Sequence, residues 1–212
     1  MLRLKLLPVG LAAAVVAFTA SFAGAEEFSG RLNGFKELGA LNNQTGAILS
    51  DGTGTASLHL NKAGTQISYT LTYSNVGTTK PGIGTVSQAH IHFGKSRDSG
   101  GILVFFCTNL NLPPTFTGPA PPICPKTSGT VSGTWTKDNV QAIRSQNVNA
   151  GDFDALVDAL QSNTAYANIH TTSSPTPPAP DTAFPAGEIR GQIRSEDRDD
   201  QDDHHDNHDH HH

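Results

Sequence analysis

Three histidines in this chain have the spacing to grip an ion. His90-Ile91-His92 puts two imidazoles two residues apart. On a strand such residues share a face, with Cα atoms about 6.5–7 Å apart, so both rings can converge on one centre. His170 ends the run Tyr166-Ala167-Asn168-Ile169-His170, in which Ala167 and Ile169 face one way and His170 the other. If that run pairs with or folds over 86–93, three neutral nitrogen donors meet. Such a set suits Cu, Zn or Ni rather than Ca or Mg, and leaves a position open for water or a small ligand. Ile91 and Phe93 take the opposite face, toward the core, so the His pair is expected to face solvent or a cleft. By itself an HxH pair equally describes two polar surface residues, and both readings stay open at this stage. His59 points away from Leu58 and Leu60 and reads as a surface residue outside the site.

Strands must position these rings. Segment 66–73 alternates cleanly, with Ile67, Tyr69, Leu71 and Tyr73 on one face. Segment 55–60 does the same with Ala56, Leu58 and Leu60. Segments 28–32, 86–93, 101–106, 129–136, 165–170 and 188–194 are further strands. Two segments read as helices. In 138–144, Asp138 caps and Val140 and Ile143 are apolar. In 152–161, Phe153, Leu156, Val157 and Leu160 form one stripe. The Pro-rich stretch 173–185 cannot be a central strand and reads as an exposed loop. Seven or eight short, mostly antiparallel strands with one or two small helices predict a mostly-β sandwich or barrel. With 21 Gly, 13 Pro and 16% charged residues, the composition argues against a helical bundle and for short strands joined by many turns.

Residues 1–25 read as a secretory signal: Arg3 and Lys5, an apolar run, then Ala23-Gly24-Ala25. Residues 26–194 form the β domain, and 195–212 a disordered acidic tail. The mature chain is expected to be periplasmic or secreted, with no membrane span after signal cleavage. That compartment is oxidising, so Cys107 and Cys124 are read as a disulfide closing a Pro-rich loop. The body from 26 to 194 holds eleven acids and eleven bases, whereas the tail holds eight acids against Arg198. A neutral body with an acidic end gives no footprint for nucleic acid. In the tail, His204, His205, His208, His210, His211 and His212 lie among carboxylates and read as a loose metal-collecting segment rather than an inert solubiliser.

Gln88-Ala89-His90-Ile91-His92-Phe93-Gly94, Tyr166-Ala167-Asn168-Ile169-His170-Thr171 and Pro185-Ala186-Gly187-Glu188-Ile189-Arg190-Gly191-Gln192 resemble, in that order, motifs of the CHRD domain. That family is named for repeats in chordin and also occurs singly in secreted bacterial proteins. The resemblance spans about 28–194. It implies an immunoglobulin-like barrel with a likeness to copper–zinc superoxide dismutase, and a role largely unassigned. It makes His90, His92 and His170 the candidate ligands of copper or zinc, with no organic cofactor. Glu188 and Arg190 become groups that support the ligands or steer anions. Their alternative is a pair of outward side chains on a last strand, bridging to neighbours. The Pro-rich insert lengthens the path from His170 to Pro185 beyond the family's usual join. Three functions compete: a secreted metal-binding module, a module binding another extracellular protein, and a dismutase-like copper enzyme. The enzyme is the least favoured, because no Ser/His/Asp arrangement or fourth body ligand is evident.

Overall fold

Period-two patterning turns into strand wherever the sequence carries it. The computed structural model describes residues 25–38, 46–79, 84–173 and 183–196. Its first three strands are β1 (Glu26–Asn33), β2 (Thr53–Leu60) and β3 (Ile67–Ser74). On β3 the predicted face of Ile67, Tyr69, Leu71 and Tyr73 is buried and the residues between are exposed. Then follow β4 (Gly84–Phe93), β5 (Ile102–Thr108), β6 (Gly129–Trp135), the helix α1 (Phe153–Gln161), β7 (Ala165–Ser173), β8 (Ile189–Gln192) and β9 (Arg194–Ser195). One antiparallel sheet runs β5-β4-β7-β8-β1-β2-β3-β6, with β9 added to β1. The fold is a mostly-β, nearly closed barrel.

The seam between β5 and β6 lacks a ladder and is closed by aromatic side chains. Trp135 Nε1 donates to the Phe105 carbonyl at 2.9 Å, and the Tyr69 hydroxyl donates to the Phe106 carbonyl at 3.1 Å. Trp135 stacks on Tyr69 with centroids 4.3 Å apart. Inside lie Phe28, Leu58, Leu71, Ile91, Leu103 and Phe106. The α1 helix packs against β7 and β9, its first turn capped by Asp152, whose carboxylate accepts from the Ala155 N–H. Phe153, Leu156, Ala159 and Leu160 are buried. Leu156→Ala is expected to cost about 2–5 kcal/mol, read as a lower denaturant midpoint at unchanged slope.

Cys107 and Cys124 are bonded, with Cα atoms 5.1 Å apart. Asn109 holds the mouth of the loop they close: its amide donates to the Val86 and Cys124 carbonyls and its oxygen accepts from Cys124 N–H. Replacing both cysteines by Ser is expected to remove about 3 kcal/mol of stability by freeing that loop in the unfolded chain. Equilibrium unfolding of the variant against the oxidised parent measures it.

Two expectations change. Segment 138–144 is not an α-helix. A 3-10 turn at Lys137–Asn139 stops when Gln141 N–H donates to the Leu103 carbonyl, and Ile143 bridges to Val148. Bonding to β5 wins over so short a helical segment. The last strand is split into β8 and β9 where Ile193 N–H turns to the Ala165 carbonyl. The predicted signal peptide, except Ala25, and the tail histidines lie outside the described residues, as does most of the Pro-rich insert.

Candidate metal centre

The β4–β7 ladder sets the three rings. His90 lies opposite Asn168, His92 opposite Tyr166 and Gln88 opposite His170. His170 is therefore diagonal to His90, within reach of long side chains across a pair of strands. Ile91 and Ile169 fill the interior, and the His side of β4 and β7 forms the outer face of the wall. His90, His92 and His170 each offer one nitrogen, and these atoms all lie within 4.8 Å of one another. Ring centroids are 5.3 Å apart for His90 and His92, 5.0 Å for His90 and His170, and 5.8 Å for His92 and His170. Around a tetrahedral zinc the nitrogens would be about 3.3 Å apart, so small rotations of the rings bring them onto one ion.

The expectation that the His pair faces solvent is corrected. His90 is fully buried, and His92 and His170 are only 8% and 7% exposed. The residues that follow β4, a second segment before β8, and β5 cover them. His92 Nδ1 bonds the Gly100 carbonyl at 2.9 Å, and His170 Nδ1 bonds the Pro185 carbonyl at 3.0 Å. The Phe105 ring stands edge-on to His90 at 4.4 Å, and Phe116 of the disulfide loop packs on Phe105.

Those two carbonyls decide the tautomers. A carbonyl only accepts, so in each neutral ring Nδ1 carries the proton and Nε2 keeps a lone pair. Burial is the main force keeping the rings neutral. It holds His90 well below its ordinary value, with His170 and His92 adding to the effect. His92 is pushed down to about 4 by burial, against the Gly100 carbonyl and assisted by His170 and Arg190. Burial lowers His170, opposed by the Pro185 carbonyl. His92 Nε2, His170 Nε2 and both nitrogens of His90 have no hydrogen-bond partner. Orphan buried nitrogens of this kind cost about 1–3 kcal/mol each unless something binds them.

The neighbouring polar groups are also buried. Arg190, expected on an outer face, is 2% exposed. Its guanidinium lies 3.4 Å over the Tyr166 ring, which in turn stacks on His92 at 4.8 Å and 3°. It donates to the Lys95 and Asp98 carbonyls, fastening the covering loop, while the Tyr166 hydroxyl accepts from Gly100 N–H. Glu188 is 1% exposed and accepts from Gly77 N–H and Ser50 Oγ, tying the turn after β3 to the start of β8. These partners are not imidazoles. Sequence reasoning missed Asn168 and Glu37. The Asn168 amide donates to the Glu37 carboxylate at 2.7 Å, beside Gly187, where a Cβ would come within 2.5 Å of both side chains. Gly187 also has φ of +130°, open to glycine alone without strain. His59, as expected, is exposed and pairs with Glu27.

Residues 18–177 match the family model of the CHRD domain. The chain belongs to the CHRD family. The matched span carries β1 to β7 and all three histidines. It starts inside the segment read as a signal peptide and ends before Pro185, so β8 and β9 of this CHRD barrel lie beyond it. Among curated proteins and among solved structures nothing matches the chain significantly. Among the described residues no helix is long and apolar enough to cross a membrane.

Proposed function

We propose that this CHRD chain is an exported module that holds one transition-metal ion, copper or zinc, on His90, His92 and His170. The observation that carries the reading is the set of buried imidazole nitrogens that lack a partner and crowd into one cluster. Two of them belong to rings whose other nitrogen is fixed by a carbonyl, the arrangement that orients a His ligand. The disulfide and the N-terminal segment support export. In this reading Arg190 acts on the site through Tyr166, and Glu188 secures the strand that carries Arg190. His204, His205, His208, His210, His211 and His212 add loose metal-binding capacity of their own.

Elemental analysis of the dialysed full chain, beside a variant with His90, His92 and His170 all changed to Ala, tests this. One equivalent of ion is expected to separate the two, since the tail contributes equally to both. Equal metal content in two folded proteins overturns the reading. It leaves the CHRD barrel as a module that recognises another extracellular protein.

A further inference from the structure

We infer that the ion this site selects is monovalent copper. The inference rests on the metal-binding reading above and adds the charge and coordination of the ion. The donor cluster consists of three uncharged nitrogens, with no thiolate or carboxylate in it. The rings are 0–8% exposed, so an ion bound there gives up nearly all its water. The cost of moving an ion out of water grows as the square of its charge, and a divalent ion meets four times the penalty of a monovalent one. Neutral donors return none of that difference as ion–ion attraction.

The surroundings work in the same direction. The charged group coupled to the triad by stacked rings is a cation. Arg190 covers Tyr166, and Tyr166 covers His92, with ring and guanidinium in contact. The guanidinium is held there by the Lys95 and Asp98 carbonyls and cannot swing away. The carboxylates nearby act on Arg190 or are tied off: Glu37 and Asp98 both interact with its guanidinium. Glu37 receives the Asn168 amide, and Glu188 receives Gly77 N–H and Ser50 Oγ. A second unit of positive charge on the metal therefore finds no anion among its donors, since the nearby carboxylates Glu37 and Asp98 act on Arg190 instead.

Coordination number adds a third argument. The three ring centroids form a nearly equilateral triangle, which suits an ion content with three nitrogens. Zinc takes a fourth ligand, and divalent copper prefers a square or tetragonal set. Phe105 stands against His90 on one side, β4 and β7 lie on the other, and among the described residues the cluster offers no fourth side-chain donor. His92 and His170 each give Nδ1 to a carbonyl, which leaves their Nε2 lone pairs for the ion.

The test compares the full chain with the full-length double variant His90→Leu/His92→Gln, and with His170→Asn as a second variant. Circular dichroism checks that each folds. Under anaerobic conditions with ascorbate, Cu(I) is titrated against a chromophoric Cu(I) chelator. Zn(II) and Cu(II) are titrated separately, the latter also by electron paramagnetic resonance. The expected result is one Cu(I) equivalent present in the parent and absent from both variants, bound at least a thousand-fold more tightly than Zn(II). The Cu(II) resonance is expected to be the same in parent and variants, as it reports only the tail. Zn(II) or Cu(II) binding that depends on these histidines and equals or exceeds Cu(I) overturns the choice of ion and leaves the site standing. No His-dependent binding of any of the three overturns the site as well.

Discussion

Saturating the chain with its ion is expected to raise the melting temperature by roughly 8–16 °C. At a free ion concentration a thousand times the dissociation constant, binding adds about 4 kcal/mol. A domain of this size gains about 2–4 °C for each kcal/mol. A chelator should reverse the shift. His90→Leu gives the sharper result, because its sign depends on the metal. Both nitrogens of His90 are buried without a partner, and an apolar side chain of similar size removes that deficit. Metal-free His90→Leu is therefore expected to be more stable than the metal-free parent by at least about 1 kcal/mol, the lower figure for a single orphan nitrogen. With metal the order reverses, since the variant has lost a ligand. Differential scanning of both proteins, with metal and with chelator, reads all four values. A parent that ignores metal, or a metal-free variant that is weaker than the parent, counts against this account. The pattern is that of a group kept for binding at the expense of stability.

The second large effect is on pH. All three rings titrate lower in the fold than in the unfolded chain, where His sits near 6.5. Above about pH 6.5 both states hold these rings neutral and the shift contributes nothing. As pH falls below 6.5 the unfolded chain takes up protons that the fold refuses, so stability drops. For His92, whose folded value is about 4, the loss grows down to that pH. It reaches about 3 kcal/mol for this ring alone. His90 and His170 add to it in the same direction. Metal-free protein unfolded in denaturant at pH 7.5, 6.0 and 5.0 is expected to lose stability steadily. His92→Gln should flatten the slope. A profile that is flat from pH 7.5 to 5 means that the rings protonate freely in the fold.

Much of this could be read in the residues. Strict alternation announced β2 and β3, and the i, i+3, i+4, i+7 stripe announced α1, because each depends on one face meeting one core. The His pair and His170 were legible for the same reason: on strands, period two decides the face. Their burial was not, since Gly100 and Pro185, which cover them, are brought over by connections whose path no local pattern encodes. Asn168 shares the face of Tyr166 and His170, so strand periodicity could have found it. Glu37 could not be found that way, because it arrives from a turn 131 residues earlier. Segment 138–144 failed as a helix because a strand edge offered its amides better partners.

The β5 edge has one more consequence. A terminal strand with idle carbonyls invites another molecule to add a strand of its own, which is how exported β proteins clump. Here the edge is already occupied. Gln141 N–H, Trp135 Nε1 and the Tyr69 hydroxyl cap the carbonyls of Leu103, Phe105 and Phe106, and Thr108 N–H is taken by Pro122. A sheet that does not quite close thus has its β5 edge covered by side chains and loop amides, and Trp135 covers that edge as well as packing.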